Sequence, residues 1–287
     1  PEVVLGAGLG EDVAASAARA AHLAKADLVS QAVVEFTNQQ GVMGGYYDQA
    51  AGETDEVALA IREHYRPRFA GDELPSGVVG KAVAIADKLD TICGMFAIDE
   101  PPTGSSDPFA VRRAAIGVIA MLRALPEVHL KPLIGRALRS YEEQGLAFDE
   151  DAVRMDVEKF FQGRLAAIAK DEKVAPDAIE AVSSVGVIDP GEFLARASAL
   201  DDARSKQPEL FEDLATAYAR AAHLADPELG VAIDETILGT AERALLDACE
   251  MGERNVSAAI ASGDFGAACE ALAELREPID RFFEDVL

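Results

Sequence analysis

Apolar side chains recur at every third or fourth position through most of the chain, which is the period of an amphipathic helix. The segment 153–168 is an example, with apolar residues at positions 153, 157, 160, 161, 165 and 168. Strict alternation of apolar and polar residues, which would indicate strands, never persists over the length of a strand. The pattern therefore predicts an all-α protein.

Glycine and proline clusters divide this pattern into segments, because both residues tend to end helices. The predicted helices cover 11–24, 27–39, 54–65, 78–97, 108–124, 127–143, 149–170, 176–184, 190–203, 208–225, 235–250 and 264–286. Pro190, Pro208 and Pro227 fall near a first helical turn, where the missing N–H of proline costs nothing.

The chain has 287 residues, with 26 Lys and Arg against 51 Asp and Glu, so its net charge is −25. The charge is uneven, with a net −7 over residues 1–135 and a net −18 over residues 136–287. A surface this acidic repels phosphate, which excludes indiscriminate binding of nucleic acid through bulk charge. Any surface that binds phosphate is therefore expected in the first half.

The length favours more than one domain. Breaks near Pro126 and near residue 205 predict three parts, 1–125, 126–204 and 205–287. No apolar run approaches the roughly 20 residues needed to span a bilayer. The three cysteines lie far apart and lack the spacing of a zinc site or a redox pair, which predicts a reducing, cytoplasmic compartment: Cys93, Cys249 and Cys269. A chain that begins at Pro1 and ends within a helical pattern at Leu287 is expected to be part of a longer protein.

Polar side chains within apolar helices are the first candidates for chemistry, because a buried carboxylate needs a cation, a metal ion or several hydrogen-bond donors. In the first 110 residues these are His22, Lys25, Asp27, His64, Asp87 and Asp90. Asp87 and Asp90 are three positions apart and share one helix face. They either pair with Lys or Arg across a helix interface, face water, or belong to a functional site. His22 is either a surface or core histidine or has a metal-binding or proton-transfer role. His64 stands at the end of a helix and could equally serve as a C-terminal cation favoured by the helix dipole.

The spacing of Asp27, segment 63–67 (EHYRP) and segment 86–90 (ADKLD) resembles the HD-type all-α metal phosphohydrolases, in which a His, a His-Asp pair and a distant Asp surround a divalent metal. Here Ala26 precedes Asp27, so one imidazole of that pattern is missing. A catalytic metal site depends on its full ligand set. The resemblance implies an HD-like domain with a degenerate site that holds no metal, formed by His22, Asp27, His64, Asp87 and Asp90.

A second resemblance is more extensive and accounts for the missing histidine. The strings KADLV (25–29), QGVMG (40–44), YRPRFAGD (65–72), AIADKLD (84–90) and PTGSSDPFAVRRAA (102–115) strongly resemble the beta subunit of bacterial heterotetrameric glycyl-tRNA synthetase. The likeness continues more weakly through YEEQG (141–145) to LREPIDRFF (275–283).

This resemblance implies a subunit of a glycine–tRNA ligase that is itself noncatalytic and cytoplasmic. In that family the alpha subunit activates glycine with ATP and Mg²⁺, and the beta subunit binds tRNA. The implied partners are the alpha subunit and tRNA(Gly), in an assembly of two alpha and two beta subunits, and no cofactor is expected in this part. The implied domains are a degenerate HD-like domain (1–125), a helical linker (126–204) and a partial helical anticodon-binding domain (205–287).

Five basic residues are the candidates for contact with tRNA: Arg112, Arg113, Arg66, Arg68 and Lys88. Asp107 and Pro108 are suited to start a helix that carries Arg112 and Arg113 one turn in, where an arginine can form forked bonds to phosphate or to a carboxylate. The alternative is that these two arginines pair with Asp87 or Asp90.

Two other functions remain open at this point. One is a metal-dependent phosphohydrolase that uses His22, Asp27, His64 and Asp87. The other is a purely structural helical scaffold that docks the alpha subunit.

Overall fold

The structure is a computed structural model that describes residues 2–104, 106–226, 228, 230 and 232–286. The described residues form helices and no strand, which confirms the all-α prediction. The α-helices, numbered α1 to α15 in chain order, are Glu2–Gly6, Glu11–Leu23, Gln31–Glu35, Val42–Ala50, Asp55–Glu63, Val78–Ala97, Val111–Arg123, Leu130–Glu143, Glu150–Asp171, Pro176–Ser184, Pro190–Lys206, Pro208–Leu224, Thr240–Ser262, Phe265–Ala273 and Arg276–Val286. The predicted helical position of Pro227 lies outside the described residues, as do Pro1, Ser105 and Leu287.

The chain divides into two compact units. The first unit comprises Pro1–Ile168 with Gly186–Gly191, and the second comprises Ala169–Val185 with Glu192–Leu287. The predicted domain boundaries at 126 and 205 lie inside these units, and the three-part division stays a prediction.

Helix α6 is the centre of the first unit and contacts α1, α2, α5, α7 and α8. Its sequence is apolar on nearly every side, with Ile85, Ile92 and Cys93 fully buried, as expected of a helix surrounded by others. In the part of the chain that the structure describes, no helix has both the length and the hydropathy to cross a membrane.

The prediction of a single helix over 27–39 is wrong, because the segment between α2 and α4 is divided into shorter elements. Two short 3-10 turns, Ala26–Val29 and Thr37–Gln39, flank the five-residue helix α3. Lys25 adopts a positive φ of 70°, which ends the preceding helical path. Ser30 then starts α3, because its hydroxyl accepts the N–H of Val33 at 3.3 Å.

The glycine cluster 41–45, predicted as a break, opens helix α4 instead. Gly45 lies so close to α5 that an added Cβ would come within 2.8 Å of the carbonyl oxygen of Ala58. Gly41, with a positive φ of 77°, makes the turn before the helix, whereas Gly44 and Gly45 permit close packing of two helices.

The second unit contains α12 to α15, in which α12 and α13 each contact both α14 and α15. Helix α13 runs on to Ser262, beyond the predicted end at 250, and Gly263 ends it with a positive φ of 75°. The predicted helix 264–286 is two helices, separated at Glu274 and Leu275. Leu275 at this break packs closely on α13, since a Cβ on Gly252 would meet the Leu275 side chain at 3.1 Å.

Candidate nucleic-acid interface

The HD-like residues lie in different settings of the first unit. His22 is exposed on α2, whereas Asp27 is 3% exposed. The Asp27 carboxylate accepts the backbone N–H of Gly41 at 2.7 Å and that of Gly44 at 2.9 Å. Both N–H groups belong to the start of α4, where a carboxylate is favoured by the helix dipole. Asp27 thus fixes α4 in the fold.

His64 is fully buried at the end of α5. Its Nδ1 lies 2.6 Å from the carbonyl oxygen of Ile61. Because a carbonyl oxygen only accepts hydrogen bonds, Nδ1 carries the hydrogen and Nε2 holds a lone pair. Burial lowers the pKa of His64, so the ring is neutral.

Asp87 meets a lysine rather than a metal. The Lys25 ammonium contacts the Asp87 carboxylate across the interface of two segments, which confirms the ion-pair alternative for Asp87. Asp90 is exposed, and its backbone carbonyl accepts the phenol of Tyr141 at 3.0 Å. Among the described residues no group of three or more His, Cys, Asp or Glu side chains could hold a metal ion. With Asp27 bonded to amides and Asp87 to an ammonium, these residues do not fit a catalytic divalent metal.

A groove of about 530 Å³ lies beside this centre. Three of the five predicted tRNA-contacting residues line it: Arg68, Lys88 and Arg113. We call this groove the arginine groove.

Arg113 is placed by the start of α7. The Asp107 carboxylate accepts the N–H of Val111 at 2.8 Å and that of Arg112 at 3.1 Å, as the sequence predicts. Ala110 has a positive φ of 57°, so the helix begins at Val111 and not at the predicted position 108. Pro108 precedes the helix instead of occupying its first turn.

The two neighbouring arginines of α7 differ in their partners. The Arg112 guanidinium donates to the carbonyl oxygen of Thr103 and so stabilises the loop that precedes α7. Arg113 is exposed, and within the described residues its side chain has no ion pair or hydrogen bond. The alternative pairing of these arginines with Asp87 or Asp90 does not occur there.

Arg68, which also lines the groove, is placed by a closed turn. The Asp72 carboxylate accepts the N–H of Arg68 at 2.7 Å and that of Glu73 at 2.9 Å. The hydrogen bond from Arg68 lowers the pKa of Asp72, which stays ionised. The Arg68 guanidinium is exposed. Its charge also helps to lower the pKa of Asp72, but within the described residues the side chain forms no hydrogen bond or ion pair.

The other two candidates are engaged inside the protein. Lys88 is 7% exposed, and its ammonium donates to the carbonyl oxygens of His64, Tyr65 and Arg66 at 3.4, 3.3 and 2.9 Å. Burial lowers the pKa of Lys88 to about 8. Gly117 makes room for it, since a Cβ there would lie 3.0 Å from Cε of Lys88.

Arg66 forms ion pairs with Glu63 at 3.1 Å and Glu73 at 3.2 Å. Glu63 is itself buried and accepts the N–H and the hydroxyl of Ser76. Arg66 therefore balances a buried carboxylate.

Sequence reasoning missed the uncharged residues of the arginine groove. Tyr65 and Phe109 line it, as do the amides of Asn38 and Gln40. Phe109 is 59% exposed. No signal singled it out, since position 109 falls within the predicted helix 108–124, where an aromatic side chain is expected to pack against the core.

The groove is locally positive despite the net charge of the chain. Arg68, Lys88 and Arg113 supply three cationic side chains, and the carboxylate of Asp87 on the same wall is balanced by Lys25. This arrangement suits an anionic ligand.

The comparisons with known proteins point to one family. Residues 3–184 match the family model described as "Glycyl-tRNA synthetase beta subunit". The glycine–tRNA ligase beta subunit of Desulforapulum autotrophicum is 40% identical over 274 residues, which are 94% of this chain and 39% of that protein. The corresponding protein of Vibrio campbellii is 42% identical over 284 residues, 97% of this chain and 40% of the relative. The protein of Haemophilus influenzae PittEE is 40% identical over 278 residues, which are 95% of this chain and 40% of that protein.

This chain thus spans about two fifths of the length of the curated relatives that it matches. The family model covers well over half of the chain, and the identity extends through both units. The chain belongs to the glycyl-tRNA synthetase beta subunit family.

Proposed function

We propose that this chain is a tRNA-binding part of a glycine–tRNA ligase, and that its arginine groove contacts tRNA(Gly). The observation that carries the proposal is the pair Arg68 and Arg113, two exposed guanidinium groups that line one groove and that form no hydrogen bond or ion pair within the described residues, although Asp72 lies near Arg68. An exposed arginine whose N–H groups are not used within the protein can bind phosphate through forked, charge-assisted hydrogen bonds.

In the proposed enzyme this chain has no catalytic residue. An alpha subunit supplies the ATP and Mg²⁺ chemistry that joins glycine to tRNA, in a cytoplasmic assembly of two alpha and two beta subunits. Family membership supports this role, because the relatives are named as beta subunits of the ligase. The acidity of the chain requires that recognition come from a few placed cations rather than from overall charge.

The test is binding of tRNA(Gly) to the 287-residue chain over a series of salt concentrations. The double replacement Arg68→Ala with Arg113→Ala should weaken binding about tenfold or more at low salt, and it should reduce the salt slope by about 1 for each phosphate that is no longer bound. Arg123→Ala, on the same helix as Arg113 but away from the groove, makes the same charge change as one of these replacements and should have little effect.

The outcomes separate the hypotheses. Equal weakening in the Arg123 variant would mean that only net charge matters, which contradicts the proposal. Binding to the alpha subunit together with no binding to tRNA would favour the structural scaffold instead. The phosphohydrolase hypothesis is less well supported, because Asp27 is bonded to amides, His64 to a carbonyl and Asp87 to a lysine, and His22 is exposed.

A further inference from the structure

We infer that the arginine groove is a pocket for a single unpaired nucleotide of the RNA, with the base held in the groove and its phosphates at the rim. This inference rests on the proposed function, but it adds which structural form of RNA enters the site. The arrangement of aromatic, amide and guanidinium groups around one cavity supports it.

The size of the groove suits one nucleotide. A volume of about 530 Å³ lies within the range of about 300–1,000 Å³ that is typical of small-molecule pockets. A base pair within a duplex has both bases stacked on neighbours and cannot enter such a cavity. An unpaired base is free to turn into it.

Two aromatic rings offer faces for stacking. Phe109 is 59% exposed at the groove, so its ring is not used by the core. Tyr65 is half-buried, and its ring lies 3.9 Å from the His64 ring, which fixes its position. Burial raises the pKa of Tyr65 to about 12, so the phenol stays neutral and does not repel phosphate. Stacking on such rings is a main source of affinity for unpaired bases.

Two amide side chains also line the groove and can meet the edge of a base. Asn38 and Gln40 each present a donor and an acceptor, which is the pattern that pairs with base edges. Thr91 also lines the groove, and its hydroxyl donates to the carbonyl of Asp87 at 3.1 Å. These groups are polar and uncharged, as expected where a base rather than a phosphate is bound.

The cations lie on different elements around these groups. Arg68 belongs to the turn after α5, and Arg113 to the first turn of α7. Phosphates on the two sides of a nucleotide can therefore be bound while the base occupies the space between. Lys88 is excluded from this role because its ammonium is bonded to three carbonyl oxygens.

The test uses the 287-residue chain and competition against labelled tRNA(Gly). The competitors are a twelve-nucleotide RNA of mixed sequence and the same strand annealed into a blunt duplex. We expect the single strand to compete about tenfold better than the duplex, although the duplex carries more charge. Phe109→Ala should abolish that advantage, and Phe109→Tyr should retain it.

Phe69 provides the matched control. It is 61% exposed and does not line the groove, so Phe69→Ala should leave the advantage of the single strand unchanged. Equal competition by duplex and single strand would overturn the inference while tRNA binding, and with it the proposed function, stands. The inference also fails if Phe109→Ala weakens both competitors alike. Absence of tRNA binding by the wild-type chain would instead refute the proposed function.

Discussion

The ammonium of Lys25 contacts the carboxylate of Asp87, and this pair neutralises an acidic side chain on the wall of the arginine groove. Lys25→Met should leave the Asp87 charge uncompensated beside the bound phosphates. We expect tRNA affinity to fall about three- to tenfold, although Lys25 does not line the groove. Binding measured at low salt checks this.

A double variant distinguishes the effect of the Lys25 and Asp87 charges from an effect of their packing. Asp87→Asn combined with Lys25→Met removes both charges and should restore most of the affinity. If the double variant binds no better than Lys25→Met alone, the pair acts through packing and the electrostatic explanation is wrong.

Replacement of glycine by alanine should have opposite effects at two positions. Gly45→Ala places a Cβ within 2.8 Å of the Ala58 carbonyl and should destabilise the protein by about 1–3 kcal/mol. Gly163 lies exposed in the middle of α9 with open space around it, so Gly163→Ala should stabilise by about 0.5–1 kcal/mol. Chemical denaturation measures both, and a decrease in stability at Gly163 or none at Gly45 would contradict this account of the close helix contact.

Lys88→Met tests whether this lysine serves the fold. The replacement leaves three carbonyl oxygens without their donor, and we expect the free energy of unfolding to fall by about 2–4 kcal/mol. Lys81→Met is the control, because that ammonium contacts a single carbonyl, of Ser76, at 3.4 Å. A stable Lys88→Met protein with weakened RNA binding would show that Lys88 faces the ligand after all.

His64 should make stability depend on pH. Burial lowers its pKa in the folded state below the ordinary value of 6.5. Below pH 6.5 the unfolded chain therefore binds a proton that the folded protein does not, so the free energy of unfolding falls as the pH falls, by at most about 1.4 kcal/mol per pH unit, until the folded pKa is reached. At pH values above 6.5 this contribution is constant.

The measurement compares denaturation between pH 7 and 5 for the wild type, for His64→Asn and for His22→Asn, whose position is exposed. The slope below pH 6.5 should be smaller only in the His64 variant. Should that variant fail to fold, NMR titration of the wild-type imidazole decides, and a ring that becomes protonated near pH 6.5 would contradict the prediction.

The regular parts of the fold follow from the sequence. The predicted bounds 78–97 and 176–184 coincide with α6 and α10, since flanking glycine and proline mark their ends. The segment 27–39 is mistaken for one helix because its apolar residues occur at helical spacing. Val29 and Val34 are nevertheless 89% and 65% exposed, so that spacing does not define a buried face.

The candidate site is less predictable, because burial decides which cations are available. Lys88 and Arg113 are both basic residues within predicted helices. The ammonium of Lys88 is nevertheless enclosed by carbonyl groups, whereas the side chain of Arg113 is exposed. The role of Asp27 depends on glycines 14 and 17 positions away, and no local pattern encodes that contact. Phe109 falls within the predicted helix 108–124, so its exposure could not be predicted from the sequence.

The enclosure of Lys88 has a consequence for how rigid the proposed RNA surface is. Its ammonium donates a hydrogen bond to the carbonyl oxygen of Arg66, two residues before Arg68. The aliphatic part of its side chain lies beside Gly117, in the helix that carries Arg113. The floor of the groove is therefore part of the core, so its backbone amides should exchange hydrogen only when the core opens. A surface built in this way is ordered when the chain folds, and an arriving ligand does not bear that entropic cost.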